Sequence, residues 1–233
     1  MKISIVVPAH NEEENIADVI KKIENILASL EHEIIVVNDH SIDKTPEIVL
    51  GLAKDYPNLR LVHNTSAGGF ANAIRTGFAN INSEVVVPVM ADLCDDLTTI
   101  GKMLEKIKEG YDVVCGCRYS KGGRREGGSR LKGSLSEFGG LSLRFLLGIP
   151  THDIPNAFKM YRKKVIDSVE SKAEGFEISM EIPLKAYFLG FKITEVPTVW
   201  KERTKGKSSF KIFKLLPAYS KLYLWGIWKR MGG

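Results

Sequence analysis

The sequence predicts an α/β fold: a Rossmann-like, doubly wound, mainly parallel sheet in a single domain. Three observations predict it. Five short apolar runs alternate with four helix-periodic stretches over residues 1–117. The run Val85, Val86, Val87 is β-branched without alternation, as in a strand buried on both faces. At the carboxyl end of that run the chain turns acidic, with Asp92, Asp95 and Asp96. Open α/β sheets bind ligands at that end of their strands.

Taken in order, residues 3–7 form an apolar strand ended by Pro8. Asn11 is placed to cap the next helix, whose apolar positions Ile16, Val19, Ile20, Ile23 and Leu27 recur at three- and four-residue steps. Residues 34–37 are a second strand, closed by Asn38-Asp39-His40-Ser41. Asp43 or Thr45 then caps a helix running to about Lys54. Residues 59–63 are a third strand, 64–69 a turn and 70–80 a helix. The valine run is the fourth strand, followed by a helix over 97–108 and a fifth strand over 112–117. Beyond Cys117 the pattern loosens. Residues 121–130, KGGRREGGSR, read as a mobile loop. Helices follow over 131–147, 163–168 and 178–189, with strand-like segments near 153–161 and 191–200. No repeat or low-complexity linker divides the chain, so one domain with two functional halves is expected.

The 233 residues suffice for one large α/β domain. A net charge of +5 suits an anionic partner. Its cations gather in residues 118–144 and 201–230, without the stacking platform and groove that would suggest nucleic acid. Met1-Lys2 runs straight into a strand, so no signal peptide is expected, and no apolar run reaches the roughly 20 residues of a spanning helix. Cys94, Cys115 and Cys117 show no zinc-ligand spacing and read as reduced, packed thiols of a cytoplasmic protein. His32, His63 and His152 likewise share no ligand spacing and read as surface or loop histidines, while Glu181 reads as a buried partner for an arginine.

Neither G-x-G-x-x-G nor G-x-x-x-x-G-K-[ST] follows the first strand. In their place stands PAHNEEEN, whose glutamates would repel a diphosphate on that helix end, which disfavours dinucleotide oxidoreductases and P-loop NTPases. Asp39 is better placed to accept from a base or ribose, or else shapes a turn. The acidic segment after the fourth strand has two readings. Hard divalent cations take carboxylates plus substrate phosphates; equally, Asp95 or Asp96 can cap the following helix.

VVPAHNEEENI, EIIVVNDHSIDKT, NTSAGGFANAIRTGF, VMADLCDD, DVVCGCRY, DIPNAFKMYRK and RTKGKSSFK stand in one order along residues 1–210. In that order the chain resembles family 2 glycosyltransferases, and most closely the polyprenol-phosphate (dolichol-phosphate) mannosyltransferases. The resemblance implies a GT-A fold, a nucleotide-sugar donor such as GDP-mannose or a UDP-sugar, a divalent metal (Mg²⁺ or Mn²⁺), inversion at the anomeric carbon and a polyprenyl phosphate acceptor. It divides the chain into a nucleotide-sugar half, 1–117, an acceptor half, 118–209, and an amphipathic tail, 210–233. It places Pro8, His10 and Glu12 in a nucleotide-contacting loop and Val37 and Asp39 at base and ribose. Ala91 and Asp92 fall in the family's D-x-D, and Arg118 near the phosphates. Arg130 and Ser134 fall at the lipid-phosphate acceptor, and Arg203 and Lys207 in a basic loop closing over the diphosphate. The sequence departs from the family at His10, where tyrosine is usual, and at Asn38 and His40. Met90 replaces the first Asp of D-x-D and Cys94 the glutamine after it. Methionine is a poor ligand for a hard cation, so either Asp92 with Asp95 or Asp96 and the diphosphate holds the metal, or metal binding is weak and Arg118, Arg203 and Lys207 neutralise the leaving group. A non-catalytic nucleotide-sugar-binding protein is the further alternative. An acceptor phosphate needs no strong base; a saccharide hydroxyl would, and Asp153 is then the nearest carboxylate, or else a capping residue.

The tail carries Trp225 and Trp228 among leucines and lysines, which suits a membrane interface at the cytoplasmic face. With it goes a helical face of Leu131, Leu135, Phe138, Leu141, Phe145 and Leu146. The same faces could instead bury a homo-oligomer contact.

Overall fold

The computed structural model describes residues 1–203 and 212–233. At its centre β1 (Ile3–Ala9) pairs in parallel with β2 (His32–Asn38) and β4 (Val85–Pro88), and β2 with β3 (Leu59–His63). On the other side β5 (Val113–Cys117) pairs in parallel with β8 (Ile193–Pro197). β7 (Lys159–Arg162) runs antiparallel between β4 and β5, completing a seven-stranded sheet of order β3-β2-β1-β4-β7-β5-β8. This confirms the doubly wound, mainly parallel α/β fold.

Alternation along β1 explains the two-sided core. Ile5 and Val7 point to the face covered by α1 (Ile16–Leu27) and α4 (Thr99–Lys108), whereas Val6 points to the face covered by α3 (Phe70–Ala79) and α7 (Ile178–Phe188). α2 (Thr45–Leu52) joins the first face and α6 (Lys163–Ser168) the second. Gly77 on α3 is required here, because a Cβ would collide with Val6.

Local chemistry moved several boundaries. α1 begins at Ile16, with Asn15 rather than Asn11 at its cap. Asn11 instead adopts a left-handed φ of 54° and its side-chain oxygen accepts the N–H of Ile42. Asp43 accepts from the N–H and hydroxyl of Thr45, and Thr45 Oγ1 accepts the N–H of Glu12, so the first two loops are laced together. The glycine-rich stretch contains a strand, β6 (Arg124–Glu126), parallel to β9 (Val199–Lys201), with Arg125 4.8 Å over the Trp200 ring. The stretch expected to be a mobile loop thus carries a short strand between its glycine pairs.

A third apolar cluster joins α5 (Arg130–Leu147), α7 and α8 (Ile212–Arg230) through Leu143, Leu147, Met180 and Leu184. Trp225, partly buried, packs against it, edge-on to Phe188 at 5.6 Å. Trp228 remains exposed. The opposite face of α5 is bare: Leu131, Leu135, Phe138, Leu141, Phe145 and Leu146 are all exposed, Phe145 at 88%. No helix among the described residues is long and apolar enough to cross a membrane.

Candidate active site

The carboxyl ends of β1, β2, β4 and β5 open on one side of the sheet, and the predicted residues gather there. Pro8 lies near the end of β1, and His10 beyond it, exposed, with Nδ1 2.6 Å from the carbonyl oxygen of Asp39. Val37 is wholly buried in the core, so only its backbone can face a ligand. Both carboxylate oxygens of Asp39 accept within the chain: Oδ1 from Asn64 Nδ2 (2.7 Å) and Oδ2 from the Gly69 N–H (2.8 Å). Asp39 therefore fastens the turn into α3, which is its turn-shaping reading. His40 stands at φ 56° with Nε2 2.9 Å from the Ser66 carbonyl oxygen.

Glu12 is half-buried; its pKa is raised by burial, against the hydrogen bond from Asn15. Arg203 Nη2 lies 3.8 Å from Glu12 and 3.0 Å from Asp92 Oδ2, so one guanidinium bridges the first loop and the acidic segment. Asp92 Oδ1 accepts the N–H of Cys94. Ala91 is buried beside it. Cys94 is a buried thiol raised far above its ordinary pKa by burial and by the Asp92 charge.

The three aspartates do not act alike. Asp96 Oδ1 accepts from the N–H and hydroxyl of Thr98, at the start of α4. Asp96 Oδ1 is thereby engaged in the turn that leads into α4, whose N-cap is Thr98. Asp95 is buried and its Oδ1 has no partner among the described residues. Burial, then repulsion from Asp92, pushes its pKa up to about 7. A buried carboxylate oxygen without a donor is costly and calls for a proton or a cation.

Arg118 and Asp153 form a buried pair. Asp153 Oδ2 accepts from the Arg118 N–H (3.0 Å) and Nε (2.7 Å), and Oδ1 from Nη2 (2.8 Å). Asp153 is 0% exposed. Closed to solvent and held by three charge-assisted or backbone donors, Asp153 is engaged in positioning Arg118. Arg118 itself is spent largely on Asp153 and on the hydroxyl of Ser136, 3.0 Å from Nη2. Arg130 and Ser134 are exposed on the first turns of α5. Lys207 lies outside the described residues, as does most of the basic loop after Arg203.

Three features escaped the sequence. Lys159 is buried, donating to the carbonyl oxygens of Ile154, Asn156 and Ser179, and burial lowers its pKa. Its signal in sequence is an ordinary lysine in a strand. Glu181 accepts from Ser171 and the backbone at Lys172 and Ala173 and pairs with Lys185, not with an arginine. His152, dismissed on spacing, meets Cys117 and Glu195, which are 35 and 43 residues away and brought together only by the fold.

Comparison with known proteins now bears on this site. The sequence model of glycosyl transferase family 2 matches residues 4–169. The chain is 34% identical over 232 residues to the dolichol-phosphate mannosyltransferase of Pyrococcus furiosus, covering 97% of this chain and 64% of that protein. It thus spans less than two thirds of that relative's length. It is 28% identical to the polyprenol monophosphomannose synthase of Mycolicibacterium smegmatis, covering 97% of this chain and 88% of that one. To the undecaprenyl-phosphate mannosyltransferase of Micrococcus luteus it is 27% identical, covering 100% and 97%. Among solved structures it is similar to glucosyl-3-phosphoglycerate synthase from Mycobacterium tuberculosis in complex with Mn²⁺, uridine diphosphate and phosphoglyceric acid. There the TM-score is 0.71 at 21% identity, over 99% of this chain and 78% of that one, a likeness of fold.

Proposed function

Since the chain belongs to glycosyl transferase family 2, we propose that it moves a sugar, with inversion, from a nucleotide-sugar to a polyprenyl phosphate at a membrane surface. The observation that carries the reading is α5. Its exposed apolar face begins at Leu131, and its Ser136 hydroxyl accepts from Arg118, so an apolar ramp ends beside a largely buried arginine. The relatives named for dolichol-phosphate, polyprenol and undecaprenyl-phosphate chemistry support the acceptor class. Residues 1–117 are the nucleotide-sugar half, with Pro8, His10, Glu12, Asp39 and the Val37 backbone lining the donor. Residues 118–209 are the acceptor half, with Arg130 and Ser134 meeting the acceptor phosphate.

The residues fit a divalent cation, of which Mg²⁺ and Mn²⁺ are the candidates. Asp92 and Asp95 would hold it, because Asp95 offers a buried oxygen that lacks a donor. One or two carboxylates plus a diphosphate is the ordinary Mg²⁺ arrangement, and it survives methionine at position 90. Bound there, the cation supplies charge neutralisation at the departing diphosphate. Arg203 leaves Asp92 for the β-phosphate and shares that task. Arg118, fixed and neutralised by Asp153, presents its remaining N–H toward Ser136 on α5, and the exposed Arg130 supplies the positive charge that draws the acceptor phosphate. The acceptor oxygen attacks C1 from the face opposite the leaving group, the C1–O bond to the diphosphate breaks, and the nucleoside diphosphate departs. The acceptor is anionic beforehand, so no proton need be removed. The burial of Asp153 favours this acceptor over a saccharide hydroxyl, which would require a base.

The test incubates the full chain with a panel of nucleotide-sugars, Mn²⁺ and a polyprenyl phosphate. The expected product is a polyprenyl phosphosugar that mild acid cleaves. A product stable to mild acid, or turnover only with saccharide acceptors, would overturn the acceptor assignment.

A further inference from the structure

We infer that Cys117, His152 and Glu195 form a second metal site, suited to a borderline-soft divalent ion such as Zn²⁺ and separate from the acidic segment. A thiol sulfur, an imidazole nitrogen and a carboxylate oxygen from these residues all lie within 4.8 Å of one another. They come from three segments. Cys117 ends β5, Glu195 lies on the adjacent β8, and His152 stands in the loop after α5. An ion with bonds of about 2.0–2.3 Å gathers such a set with small side-chain movements.

The chemistry selects the ion. Thiolate, imidazole and carboxylate are the three ligand types of zinc, and three protein ligands leave a fourth position open. A thiolate and an imidazole disfavour Mg²⁺, which prefers oxygen. The site is built in advance. Glu195 Oε2 accepts the His152 backbone N–H at 2.7 Å, and Oε1 lies 2.6 Å from Nδ1, which fixes the ring beside the thiol. The His152 side chain is 30% exposed, leaving a path from solvent, while Cys117 is buried.

The position gives the ion a task. Cys117 immediately precedes Arg118, and His152 immediately precedes Asp153. A bound ion braces the two segments that hold the buried ion pair, and stabilises the fold by binding the native state alone.

The test uses the full chain, stripped by chelator and titrated with Co²⁺. One equivalent should produce a thiolate-to-metal charge-transfer band that Zn²⁺ abolishes by displacement, and Zn²⁺ should raise Tm. Cys117→Ser should remove the band, and Cys94→Ser, altering the thiol of the acidic segment, should keep it. His152→Gln should weaken Co²⁺ binding by at least roughly tenfold, the cost of losing even a supporting partner of a metal ligand. No band in the parent, or a band that survives Cys117→Ser, overturns the site. If Cys117→Ser does not fold, unchanged Co²⁺ affinity in His152→Gln overturns it equally.

Discussion

Asp95 makes a quantitative demand on stability. Its pKa rises from an ordinary 3.8 to about 7 because the carboxylate is buried and faces Asp92. Each pH unit is worth 1.36 kcal/mol, so keeping Asp95 ionised in the fold costs about 4 kcal/mol. The sign follows from linkage. Below 3.8 both states hold the proton and nothing is lost. Between 3.8 and about 7 the folded state keeps a proton that the unfolded state releases, so stability falls as pH rises. Above about 7 the full cost stands. Asp95→Asn never ionises and escapes this descent. Relative to the parent, it should gain about 2–3 kcal/mol between pH 5 and pH 8. Urea denaturation of both proteins across that range, with chelator and without nucleotide, reads the difference directly. A difference independent of pH, or a variant losing ground as pH rises, would refute the reasoning. Mn²⁺ with UDP should flatten the parent's profile and leave that of Asp95→Asn unchanged, because a cation beside Asp95 stabilises its ionised form.

Asp92→Ala should cost on the order of 10²–10³ in turnover with unchanged circular dichroism; near-normal activity would remove Asp92 from the metal assignment. Asp153→Ala should destabilise the fold by about 3–5 kcal/mol, because it strands the buried Arg118 charge, and chemical denaturation measures this. A variant as stable as the parent would mean that Arg118 finds another partner. The full chain should float with anionic vesicles at low salt, and replacing Phe138 and Phe145 by serine should weaken this. An unbound protein that sediments as a dimer would show that the α5 face serves a second copy.

The sequence by itself determined the five strands of residues 1–117, the α/β class and the family, whereas the antiparallel insertion of β7 and the β6–β9 pair came only with the tertiary structure. Val85, Val86 and Val87 announce a strand buried on both faces, and the 3.6-residue periodicity from Ile16 to Leu27 announces α1, because both signals are local. The apolar face of α5 was legible for the same reason: residues three and four apart must share a side. The tertiary structure alone decided what the charged groups do. Arg118 and Asp153 are 35 residues apart, and only the approach of β5 to the loop after α5 makes them a buried pair. The same approach brings His152 to Cys117, and β8 adds Glu195, across separations that no spacing rule spans. Asp95 and Asp96 are neighbours with one chemistry in the sequence. One has a buried Oδ1 without a donor and the other accepts from Thr98 in the turn before α4, because burial is a property of the packed molecule and not of the residue type.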